Sequence, residues 1–109
     1  MIGLEETDGL LVLTLRRPEK ANSLTKAIAV KYGAQGIRAN ALAPGFTHSE
    51  KTLAAPRDII APMEQKSALG RAGDAEEQAQ VAVFLASDRS SYVNGVVLPV
   101  DGGWSARMA

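Results

Sequence analysis

The chain reads as an α/β domain, and three observations carry that reading. Leu11, Leu13 and Leu15 alternate with Val12, Thr14 and Arg16, the period of a strand with one buried face. Leu24, Ala27, Ile28 and Tyr32 then fall on one face of a helix. Farther on, short strands at 37–42 and 95–100 bracket a second helical stretch. Strand–helix–strand at that spacing implies a parallel pair with a right-handed crossover. The predicted order is an N-terminal β-hairpin, then helix, strand, long loop, helix and strand.

Each element has a local cause. Asp8-Gly9 suits a two-residue turn that needs positive φ, with apolar runs on either side. Pro18 ends the second hairpin strand because it has no N–H to donate. Asn22 or Ser23 is placed to cap the helix at 24–35, and Gly33 or Gly36 to stop it. The strand at 37–42 breaks at Ala43-Pro44-Gly45. Residues 47–73 show no sustained period and carry Pro56 and Pro62; such stretches serve as lids, binding loops or disordered segments. Asp74 with Glu77 marks the next helix start, and Ala79, Ala82 and Ala86 beside Val81 and Leu85 give it a small-residue face. Pro99 puts the last strand at a sheet edge.

Composition narrows the class. A chain of 109 residues makes one domain, and one of that size buries roughly 65% of its unfolded surface. With 46% hydrophobic and 22% charged residues it has the balance of a soluble globular protein. Twelve basic residues cancel twelve acidic ones, so no net field favours nucleic acid or an anionic membrane. The absence of cysteine excludes disulfides and thiolate metal sites, and suits a reducing compartment. Met-Ile-Gly-Leu-Glu-Glu-Thr-Asp lacks the order of a secretory signal. No apolar run approaches the ~20 residues needed to span a bilayer. A cytoplasmic protein is the expectation.

Several runs occur in the order and spacing of one enzyme family. They are Leu24-Thr25-Lys26-Ala27-Ile28-Ala29, Gly36-Ile37-Arg38-Ala39-Asn40, Pro44-Gly45, Leu69-Gly70-Arg71, Phe84-Leu85-Ala86-Ser87-Asp88 and Val100-Asp101-Gly102-Gly103. Over roughly residues 24–104 the chain resembles the C-terminal part of the short-chain dehydrogenase/reductase family. The resemblance implies a partial Rossmann-type unit, an oxidoreductase activity and NAD or NADP as cofactor. It also implies that the Pro-Gly turn lies under the nicotinamide. Backbone groups just after that turn would hold the carboxamide, and a nearby hydroxyl would reach the carboxamide or diphosphate. On this sequence those positions are Pro44, Gly45, Phe46, Thr47 and Ser49. The family usually has an aliphatic residue in place of Thr47 and a threonine in place of Ser49. The place makes physical sense, because open sheets bind ligands beyond the carboxyl ends of their strands.

The same resemblance exposes what these residues lack. The family's glycine-rich phosphate turn has no match before Leu24, since Gly3 and Gly9 flank no such turn. Its catalysis pairs a Tyr with a Lys four residues later, whose charge lowers the phenol's pKa. Tyr32 and Tyr92 are followed at that spacing by Gly36 and Val96, and Pro18 stands at the lysine's place. No catalytic residue and no metal ligand is therefore assigned, and dinucleotide binding is expected to be weak or absent.

The run Asp8-Gly9-Leu10-Leu11-Val12-Leu13-Thr14-Leu15-Arg16-Arg17-Pro18-Glu19-Lys20-Ala21-Asn22-Ser23-Leu24 resembles a different family, the crotonases. That resemblance divides the chain into a crotonase-like segment at 1–23 and a dehydrogenase-like segment at 24–109, a fusion meeting at residues 22–25. Three functions follow: a truncated, catalytically incomplete oxidoreductase, a CoA-ester hydratase or isomerase, or a non-catalytic oligomerisation module. The expected partners are a second copy or a full-length relative. Lys20 and Asn22 suit a CoA contact or helix capping and solvation. His48 reads as a solvated loop residue, Asp101 as a strand-end turn residue, and Trp104 as packed on the body or at a subunit contact.

Overall fold

The computed structural model describes residues 2–7, 9–15 and 18–108, with side chains from residue 23 onward. The chain divides into two units, Met1–Ala41 with Leu85–Val97, and Leu42–Phe84 with Leu98–Ala109.

In the first unit, β1 (Ile2–Thr7) and β2 (Leu10–Leu15) pair antiparallel, with Thr7 opposite Leu10 and Ile2 opposite Leu15. Gly9 has φ +77°, the positive value that a two-residue hairpin turn demands. The helix α1 spans Pro18–Tyr32, so it begins well before the predicted residue 24, and Asn22 and Ser23 lie inside it. The strand β2 ends at Leu15, and Pro18, expected to end the strand, is the first residue of the helix. Its ring presets the helical φ, and the N–H it lacks is one that the first turn leaves unused. A 3-10 turn at Gly33–Gln35 follows, and Gly36 at φ +83° stops the helix, its N–H donating to the Gly33 carbonyl.

The strand after α1 is shorter and later than its pattern predicts: β3 spans Ala41–Pro44. Residues 38–40 are held by a turn instead of a ladder. Arg38 donates to the Ser90 hydroxyl at 3.1 Å and to the Val93 and Ser87 carbonyls at 3.2 and 3.1 Å. Asn94 accepts from the Ala39 N–H, and the Asn40 side chain donates to the Val93 carbonyl while accepting from the Val96 N–H. These side chains satisfy backbone groups that a longer strand would have paired. Buried Ala29 and Ser90 mark the small core of this unit.

The last strand, β4, spans Val97–Val100 and pairs with β3 in a two-stranded parallel sheet, while β1 and β2 form a separate sheet. In the first unit the Ala41 N–H donates to Val96 at 2.8 Å; in the second the Gly45 N–H donates to Val100 at 3.0 Å. Since backbone groups alternate in direction along a strand, Leu42 turns its N–H and C=O to the other edge of β3. Among the described residues no second strand takes that edge.

The second unit corrects the reading of 47–73 as structureless. Two short helices stand there, α2 (Glu50–Leu53) and α3 (Arg57–Glu64). Ser49 starts α2 through a capping box with Thr52. Pro56 is the N-cap of α3, and Pro62 lies inside that helix. The four residues of α2 are too few to show a period, and the two prolines read as breaks where α3 stands. The next helix, α4 (Ala75–Ala86), starts as predicted: Glu77 accepts the Asp74 N–H at 2.8 Å, and the Glu77 N–H returns to the Asp74 carbonyl at 3.0 Å. A last helix, α5 (Trp104–Met108), has no signal of its own in the sequence. Its cap is Asp101, which accepts from the Gly103 and Ser105 N–H groups and the Ser105 hydroxyl. Trp104 lies under the Lys66 ammonium at 5.3 Å and donates its indole N–H to Met108 Sδ. Ile60, Ala72 and Ser67 are the buried residues at the centre.

Candidate functional site

The segment leaving β3 is fixed residue by residue. Gly45 is required there by space. A Cβ on it would stand 2.6 Å from the Asp101 Cα, so only hydrogen fits. The Gly73 N–H donates to the Phe46 carbonyl at 2.9 Å, and the Gly73 carbonyl accepts the His48 N–H at 2.8 Å. Between them Thr47 bridges to Gly73 in a parallel sense. The Thr47 hydroxyl donates to the Gly45 carbonyl at 3.0 Å and accepts from Gln78 Nε2 at 3.2 Å. Gln78 Nε2 also donates to the Val100 carbonyl at 2.8 Å.

The structure thus brings Gly45, Phe46 and Thr47 together over Gly73, Gln78 and Val100. The other two predicted positions have different surroundings. Pro44 is exposed at the end of β3. Ser49 is committed to helix capping: its N–H donates to Thr52 Oγ1 at 2.7 Å and its hydroxyl accepts from the Thr52 N–H at 3.4 Å.

A cleft of about 130 Å³ lies beside this segment, lined by Phe46, Leu69, Arg71, Glu77, Gln78 and Asp101 among others. Arg71 holds both Glu77 carboxylate oxygens, at 2.9 and 2.8 Å. That hydrogen bonding, joined by the Asp74 N–H, holds the Glu77 carboxyl down at about 2 from the usual 4.5. Hydrogen bonds from the Ser105 hydroxyl and N–H likewise hold Asp101 below the ordinary carboxylate range. These groups are ionised and internally paired, which suits them to fixing loops and not to moving protons. Gln78 Oε1 is buried with no hydrogen-bond partner among the described residues.

His48 departs from its expected solvated state. It is half-buried, with Nε2 at 3.6 Å from Glu64 Oε1 and the ring edge-on to Phe46 at 5.9 Å. Arg57 holds Glu64 through two bonds, at 3.1 and 2.7 Å, and lowers its carboxyl. Sequence reasoning missed this carboxylate because Pro56 and Pro62 read as breaks in the stretch where α3 stands. The acid/base pair of the resembled family has no counterpart among the tyrosines: Tyr92 is fully exposed, and Tyr32 has Lys31 above its ring at 5.4 Å. Gln78 was likewise unforeseen; its side chain sits in a helix whose pattern showed only a small-residue face.

Fold and loop together define an α/β unit with its candidate site just past the carboxyl end of a parallel strand, where such sheets take ligands. Residues 19–105 match the family model described as enoyl-(acyl carrier protein) reductase. The chain belongs to the short-chain dehydrogenase/reductase family. It is 44% identical over 84 residues to cis-4-hydroxycyclohexanecarboxylate dehydrogenase of Sinomonas cyclohexanicum, covering 77% of this chain and 34% of that one. To the 3alpha-hydroxysteroid dehydrogenase of Mediterraneibacter gnavus it is 46% identical over 81 residues, covering 74% and 32%. A putative 2-deoxy-D-gluconate 3-dehydrogenase of Agrobacterium tumefaciens, solved with bound NADP, superposes with a TM-score of 0.73 at 40% identity, covering 82% of this chain and 37% of that one. The chain therefore spans about a third of the length of these relatives. The family match starts at residue 19, so it includes part of the stretch read as crotonase-like, and these comparisons give that reading no support.

Proposed function

We propose that these residues form the nicotinamide-side part of an NAD(P)-dependent oxidoreductase and are catalytically incomplete by themselves. The observation that carries this is the fixed loop at 45–47. Gly45, Phe46 and Thr47 hold their backbone in one shape at the place where the family resemblance puts the nicotinamide carboxamide. Pro44 and Ser49 flank it, one at the strand end and one as a helix cap. Backbone contacts of this kind orient a cofactor but supply little affinity alone, since binding must first offset lost translational and rotational freedom. No Tyr stands four residues before a Lys to exchange a proton with substrate.

Calorimetric titration with NAD(H) and NADP(H) tests the reading, with no binding detectable at micromolar concentrations as the expected result. A low-micromolar Kd, or dehydrogenase turnover on simple alcohols or carbonyl compounds, contradicts it. Self-association, or association with a full-length relative, and a cytoplasmic location belong to the same proposal. The open edge of β3 favours the first, and the lack of cysteine suits the second. A CoA-ester hydratase or isomerase rests only on the crotonase-like run at 8–24 and is tested by an enoyl-CoA hydration assay.

A further inference from the structure

We infer that Gln78 is the positioning residue of the candidate cofactor loop, the side chain that sets the peptide orientation around Gly45. This rests on the reading of 45–47 as that loop. The geometry is a closed ring. The Gly45 N–H donates to the Val100 carbonyl at 3.0 Å, and the same carbonyl accepts Gln78 Nε2 at 2.8 Å. Gln78 Nε2 gives its other hydrogen to Thr47 Oγ1 at 3.2 Å, and the Thr47 hydroxyl gives its only hydrogen to the Gly45 carbonyl at 3.0 Å. Both polar groups of Gly45 are therefore held, which fixes the peptide planes before and after it and aims the Phe46 N–H; the Thr47 N–H lies in the next plane, whose Phe46 carbonyl accepts the Gly73 N–H.

The ring also fixes which way the amide of Gln78 faces. Turned over, it would set Oε1 against the Val100 carbonyl, two acceptors in contact. In the observed orientation Oε1 is buried with no partner among the described residues. An apolar side chain at this position would leave no such acceptor unpaired. A glutamine that bears this cost has its use in the two hydrogens of Nε2. Thr47 is the matching departure, a hydroxyl where the resembled family has an aliphatic side chain. The anchor itself is firm, because the Arg71–Glu77 pair and the Asp74 N–H fix the first turn of α4 just before Gln78.

Three variants of the full chain test this: Gln78→Leu, Gln78→Glu, which keeps the shape but has no N–H to give, and Thr47→Val. Two readouts are taken by NMR, amide hydrogen exchange across 45–48 and amide shifts of Phe46 and Thr47 on titration with NADP+. Wild type is expected to show saturable shifts at those two amides in the millimolar range. The variants are expected to speed exchange at Gly45 and His48, whose N–H groups are hydrogen-bonded, at least tenfold and to weaken the shifts at least fivefold. The melting temperature of Gln78→Leu stays level or rises, which separates the effect from unfolding. Wild-type exchange and wild-type shifts in Gln78→Leu overturn the inference. Absence of shifts in wild type overturns the cofactor reading instead. The positioning role then stands if exchange at Gly45 still quickens in the variants, and falls if it does not.

Discussion

Gly45 and Asp101 approach so closely that the side chain of alanine, the smallest after glycine, does not fit between them. Gly45→Ala is expected to destabilise the second unit by about 1–3 kcal/mol, the usual cost of overpacking a filled site. The measurement is a urea melt. Glu77 gives a second prediction at this scale. Its carboxyl is held at about 2 against an unfolded value near 4.5. A group whose folded value is depressed stabilises fully above the unfolded value and loses that contribution as pH falls toward the folded one. The urea midpoint should therefore drop between pH 4.5 and 2, and Glu77→Gln should flatten that drop. Neither interaction could be read in full from the sequence. Glu77 was visible as half of a helix start three residues from Asp74, whereas its Arg71 partner reaches it across a turn. His48 and Glu64 meet only because α3 folds back beside the loop.

Elements announced by a local chemical signal were legible, and elements built from contacts were not. Gly9 gave the hairpin turn, Gly36 the stop of the 3-10 turn that follows α1, and Asp74 with Glu77 the start of α4. The start of α1 was misplaced because Pro18, read as a strand breaker, stands as the first residue of the helix. The strand β3 was placed too early because Arg38 and Asn40 hold the backbone before it from the side, through residues far along the chain. The helices α2 and α5 are each too short to repeat a period, and α3 was missed because Pro56 and Pro62 read as breaks, whereas Pro56 caps that helix and Pro62 lies inside it. Since α2 is only four residues long, its capping box supplies much of its order. Ser49→Ala is expected to cost about 1 kcal/mol, as lost N-caps do. Faster amide exchange at Thr52 and Leu53, with little change elsewhere, is the result to look for.

At the scale of the whole molecule, family membership was legible and the competence of the chain was not. Short motifs spread over roughly residues 24–104 identified the family, while the residues that would bind the phosphates and move the proton have no counterpart here. A two-stranded parallel sheet is an unusual object, since parallel strands normally lie inside larger sheets covered on both faces. Leu42 presents an N–H and a C=O that β4 does not use, and an unpaired edge invites another strand. Dimers or larger assemblies are expected at tens of micromolar by sedimentation velocity. A sharp monomer with a cooperative melt would show that the chain is self-sufficient.

Trp104 is the chain's single tryptophan, and its place beneath Lys66 and against Met108 lies wholly in the second unit. The protein therefore carries its own optical reporter, and that reporter sees one unit only. Circular dichroism registers the helices of both units, whereas indole emission follows the surroundings of α5. Superimposable melts by the two signals would mean that the units unfold as one cooperative body. If the emission change came at a different temperature, the segment bearing the candidate loop would be shown to fold on its own account. Deciding between these needs neither a label nor a substitution.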